Sequence, residues 1–90
     1  RVTERKMFGG IAFMARGHMF VGIAKQRLMV RVGPAAYDDA LRKPHVREMD
    51  FTGRPLRGYV YVDTEGIERD EDLAEWVRAG LTFVGTLPAK

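Results

Sequence analysis

MFGGIAFMARGHMFVGIAKQRLMVRV, residues 7–32, decides the fold. Three apolar runs of strand length, Met7–Met14, Met19–Ala24 and Leu28–Val32, are separated by two short polar breaks. The first break carries Gly17, whose backbone freedom suits a tight turn; the second is Lys25-Gln26-Arg27. Runs this short, joined by links this short, read as an antiparallel meander, because parallel neighbours would need a crossover of a dozen or more residues. In the third run Leu28, Val30 and Val32 share one face, and Met29 and Arg31 share the other.

Beyond the meander, Gly33-Pro34 punctuates the chain, and proline suits the first position of a helix. Tyr37, Ala40 and Leu41 at i, i+3 and i+4 give that helix a short apolar stripe, and Pro44 stops it. Val46–Phe51 reads as a fourth strand, residues 52–55 (TGRP) as a turn, and Arg57–Val62 (RGYVYV) as a fifth strand. The fifth has Tyr59 and Tyr61 on one face and Val60 and Val62 on the other. After a polar link, Asp70, Glu71 and Asp72 open a second helix with charge that its N-terminal dipole favours, and Asp72 with Glu75 has capping-box spacing. Its core stripe is Leu73, Trp76, Val77, Gly80, Val84 and Leu87, with Gly80 marking a close approach to the sheet. The order βββ–α–ββ–α predicts an α+β domain of two layers: a mainly antiparallel five-stranded sheet with both helices on one face, and one domain over residues 1–90.

Composition narrows the function. Ninety residues leave room for one core. Cysteine, serine and asparagine are all absent, which removes disulfides, thiolate zinc sites and the usual hydroxyl and thiol nucleophiles. The five threonines lie near no pattern that supplies an activating base. The expectation is a non-enzyme with no cofactor, no metal and no small-molecule substrate. A small domain without disulfide staples, without a signal-peptide pattern and without a run of ~20 apolar residues is expected in the cytoplasm, away from membranes. The net charge of +3 is uneven: residues 1–62 hold 12 Lys/Arg against 5 Asp/Glu (+7), and residues 63–90 hold 3 against 7 (−4).

Four motifs bear on binding. Phe8-Gly9-Gly10 lacks the spacing of a phosphate loop and, inside an apolar run, reads as a bulge or a close packing point. His18 and His45 have no partner at metal-ligand spacing and read as solvated loop histidines. RGYVYV partly matches the RNP1 pattern of RNA-recognition domains, where sheet-face aromatics stack bases. Val60 and Thr64 depart from that pattern, and so does the element order. The densest basic stretch supplies Lys43, Arg47, Arg54 and Arg57 as candidate contacts for a partner or for nucleic acid, with Glu48 and Asp50 interrupting it.

Taken together, MFGGIAFM (7–14), LMVRVG (28–33), HVREMDFTGRPLRGYVYV (45–62) and EDLAEWV (71–77) resemble the TfoX N-terminal domain, also called the Sxy-type domain. MDFTGRP (49–55) is the most specific block. The short helix that usually precedes the first strand in that family, and the second domain of full-length TfoX regulators, do not appear in these 90 residues. The resemblance implies a two-layer fold laid out like secretion chaperones. It also implies a role in regulating bacterial competence genes, in which TfoX proteins act with the cyclic-AMP receptor protein. It transfers no catalytic residue. The expectation is therefore a regulatory module that binds a protein partner or a second copy of itself through a sheet edge or through the sheet face opposite the helices, since the first two strands are apolar on both faces and the helices can bury only one. Direct nucleic-acid binding through the basic residues of 1–62 is the alternative.

Overall fold

The computed structural model describes residues 2–7, 9–24, 26–50, 53 and 55–89. Six strands, two α-helices and one 3₁₀ turn follow in the order β1 (Val2–Met7), β2 (Gly10–Ala15), β3 (His18–Ala24), β4 (Arg27–Arg31), α1 (Pro34–Leu41), β5 (Val46–Asp50), β6 (Pro55–Val62), the 3₁₀ turn (Thr64–Ile67) and α2 (Asp70–Val84). All pairings are antiparallel, in one sheet of order β1-β2-β3-β4-β6-β5. The α+β class and the antiparallel sheet agree with the sequence reading.

The strand count differs by one. Residues 7–14 are not one strand: Gly9, at φ +74, lies in the turn of a β1–β2 hairpin, and Gly10 opens β2. Gly9 thus marks a turn rather than a bulge inside a strand, while Gly10 is a close packing point, where a Cβ would clash with the Ile23 carbonyl oxygen. β1, VTERKM, has no apolar period because it is an edge strand, and Val2 to Lys6 are all exposed.

One face of the sheet carries the core. Leu28, Val30 and Val32 from β4, Val60 and Val62 from β6 and Val21 from β3 meet Tyr37 and Ala40 of α1 and Trp76 and Val84 of α2. A register shift between Phe13–Val21 and Met14–Met19 leaves Phe20 without an opposite number. At such a bulge two consecutive side chains can turn to the same side, so Phe20 joins Val21 in the core at 2% exposure. α2 crosses β3 and β4 closely; a Cβ at Gly80 would stand 2.6 Å from the Phe20 carbonyl oxygen.

Two local expectations are corrected. The capping box does not form: α2 starts at Asp70 behind an extended Arg69, no side chain caps it, and Asp70, Glu71 and Asp72 fill its first turn instead. His18 is not a solvated loop residue. It opens β3, is 8% exposed, and its Nε2 lies 2.7 Å from the Pro88 carbonyl oxygen, while Nδ1 has no partner. Arg16 donates to the Leu87 carbonyl at 2.9 Å, so the β2–β3 hairpin holds the segment that follows α2.

Candidate functional site

Side-chain alternation sorts the sheet into two faces. The face away from the core is crossed by one row of directly paired residues, Arg5–Ala12–Gly22–Met29–Tyr61–Arg47, running from β1 to β5. Gly22 makes this row possible. A Cβ there would lie 2.7 Å from Met29 Cε, so the methionine side chain lies where the glycine leaves room, and Met29 is 1% exposed with no helix above it. Ala12, beside Gly22, is fully buried. The centre of this row is therefore buried, and its two ends are arginines.

Tyr59 and Tyr61 stand on the same face, each half-buried; Tyr59 is paired with Arg31 and Tyr61 with Met29 of the neighbouring β4. Arg31 lies 5.4 Å from the Tyr59 ring centroid and Arg27 lies 5.1 Å from that of Tyr61. Arg31 also lies 5.3 Å from the Phe83 ring, at the end of β4. Each such contact contributes roughly 0.5–1 kcal/mol when exposed. At the end of β6, Asp63 receives two arginines at once: Arg47 Nε at 2.8 Å and Arg27 Nε at 3.6 Å. Its side chain is only 18% exposed, so it fixes both guanidinium groups beside Tyr61.

Charge divides between the layers. Among described residues, the open face carries Arg5, Arg27, Arg31 and Arg47 against Asp63, which is 4 − 1 = +3. The helix layer, residues 34–43 and 64–84 together with Arg57, which pairs with Asp38, carries eight carboxylates against Arg42, Lys43, Arg57, Arg69 and Arg78, which is 5 − 8 = −3. The uneven charge seen along the chain is therefore an asymmetry between the two sides of the molecule.

The three described basic candidates, Lys43, Arg47 and Arg57, do not form one patch. Lys43 follows α1, with its ammonium 4.9 Å from the Trp76 ring centroid, at a cleft of about 210 Å³ shared with His45, Glu65, Asp72 and Glu75. Arg47 is on the open face. Arg57 belongs to α1's surroundings, 5.3 Å from the Tyr37 ring and 3.6 Å from Asp38 Oδ2. Arg54 lies outside the described residues, as do Phe51 and Thr52 of the MDFTGRP block. Sequence reasoning passed over Arg5, Arg27 and Arg31, because only sheet pairing brings them to the tyrosines and to Arg47. Tyr37 is a core residue whose hydroxyl donates to Glu48 Oε2 at 3.4 Å; burial, and then the Glu48 carboxylate, push its phenol pKa above the ordinary value.

On the core side the helices cover β3 to β6 and leave the outer strands partly bare. Ile11 and Ile23 are directly paired and are 38% and 49% exposed, and Val2 on β1 is 50% exposed. All three have the face parity of Phe13, Ala15 and Val21; Ile11 and Ile23 are adjacent, while Val2 lies opposite Ala15 at the other end of β2, with Glu4 and Lys6 on the same face of β1. Between the two helices runs a groove of about 430 Å³, floored by Val32 and walled by Ala36, Ala40, Ala79 and Phe83. Among the described residues no three His, Asp or Glu side chains converge as a metal site would need. Among the described residues no helix is long and apolar enough to cross a membrane.

Comparison with curated proteins and with solved structures gives no match. The family model of the TfoX N-terminal domain matches residues 1–84, nearly the whole length, over the hairpin, the sheet and both helices described above. The chain belongs to the TfoX N-terminal domain family.

Proposed function

We propose that this chain is a non-catalytic regulatory module that works by docking another protein, and that the strip of Val2, Ile11 and Ile23 is where the partner sits. The observation that carries this reading is the mismatch between layers: a six-stranded sheet lies under two helices that cover only four strands. Ile11 and Ile23 form an adjacent exposed aliphatic pair, with Val2 further along the same face, and exposed apolar surface of this kind is a mark of a contact site. β1 adds an unpaired strand edge beside them, so a partner can gain both apolar burial and backbone hydrogen bonds. Family membership supports the regulatory half of the reading.

The test is genetic and structural at once. Ile11→Lys with Ile23→Lys changes two exposed positions, so the unfolding midpoint should move little, with about 0.5 kcal/mol or less expected at each. A host strain carrying the double substitution should show the same transcript changes as a strain lacking the protein. A transcript profile matching wild type would remove the strip from the function.

A further inference from the structure

We propose that the open face of the sheet, on the other side of the molecule from the aliphatic strip, binds single-stranded nucleic acid. Three observations meet there. Tyr59 and Tyr61 are two residues apart on one strand, so their rings are spaced by roughly 6.6–6.8 Å along it. Each ring is flanked by a guanidinium group, from Arg31 and Arg27 respectively, giving a row of flat π surfaces that bases can stack on regardless of sequence. The face is cationic, with Arg5 and Arg47 at the two ends of a row that holds no carboxylate. Across six strands this row spans about 24 Å, from five strand spacings of ~4.8 Å.

Charge complementarity selects the occupant. A phosphate backbone crossing this face meets arginines, whereas the helix layer is net acidic at −3, so the strand is favoured on one side. Arg27 and Arg47 are 43% and 64% exposed, within reach of a polyanion, and both are already fixed through Asp63. Ala12, Gly22 and Met29 between the ends are buried, so the surface a strand can touch is the tyrosines and the arginines around them. A duplex keeps its base faces stacked inside and offers nothing to the tyrosines.

The experiment is fluorescence anisotropy of labelled 20-mer oligo-dT and oligo-U, with a 20-bp duplex and poly-glutamate as comparisons, from 25 to 200 mM salt. Single strands are expected to bind more tightly than the duplex, with affinity falling as salt rises. Tyr61→Ala should weaken binding about tenfold while Tyr61→Phe retains it, since stacking needs the ring and not the hydroxyl. Arg47→Ala should lower the slope of log K on log salt by about 0.7, and Arg78→Ala on α2 should change nothing. A circular-dichroism melt of each variant separates loss of contact from loss of fold. The proposal is overturned by no binding at 25 mM salt, by duplex bound as tightly as single strand, or by Tyr61→Ala binding like wild type while folded. Poly-glutamate bound as tightly as the oligonucleotides overturns it too, and points to an acidic polypeptide instead.

Discussion

Replacing Trp76 by alanine is expected to leave the chain largely unfolded at 37 °C. Trp76 is the only tryptophan, is 8% exposed, and packs α2 onto the sheet between Val32 and the helix layer. Truncating a buried Trp to Ala costs about 3–5 kcal/mol. A domain of this size sits at the lower end of the roughly 5–15 kcal/mol that folded proteins possess, so the loss takes most of what there is. The outer face of the same ring also carries Lys43, a smaller contact that disappears with it. Urea unfolding followed by far-ultraviolet circular dichroism measures the change. Trp76→Phe keeps a ring in the site and should fall between wild type and alanine.

A second large effect has a sign opposite to what helix propensity gives. Gly80 lies in the middle of α2, where Gly→Ala ordinarily gains about 1 kcal/mol. Here the added Cβ would stand 2.6 Å from the Phe20 carbonyl oxygen and 3.3 Å from Phe20 Cβ. That carbonyl belongs to the backbone of a central strand and cannot yield as a side chain would, so α2 has to lift from β3. Overpacking of this kind costs about 1–3 kcal/mol, enough to outweigh the propensity gain. Gly80→Ala should therefore lower the urea midpoint with the slope unchanged, and Gly80→Leu should lower it further. A raised midpoint would show that the helix rides higher over the sheet than described here.

Much of this architecture is legible in the sequence because its central elements alternate cleanly. Val60 and Val62 against Tyr59 and Tyr61, or Leu28 and Val30 against Met29, announce a strand and both its faces. Gly80 on an otherwise apolar stripe announces a close helix approach. What escaped had no local signal. β1 is exposed on both faces as an edge, so its residues are free to be polar. The Phe20 bulge depends on register against β2, which no single run of residues reveals. His18 looks like a turn residue because the carbonyl it meets is 70 positions away. The candidate surfaces followed the same rule. RGYVYV drew attention as an aromatic-basic motif, but its element order argued against an RNA-recognition domain. Arg27 and Arg31 join the tyrosines only through the β4–β6 pairing, and the exposed strip appears only once the helices are seen to stop short of β1 and β2.

Under the proposed function, this family member docks a protein at the outer strands. Site-specific photo-crosslinking in the host measures that most directly, with a photoreactive amino acid placed at Ile23 on the strip or at Arg78 on the far side of α2. Both positions are exposed, so either substitution is compatible with the fold. The expected result is a discrete protein adduct from position 23, absent from position 78 and lost when Ile11→Lys is added. Identical adduct patterns from the two positions, or no adduct from position 23 in cells where the protein is active, would contradict it.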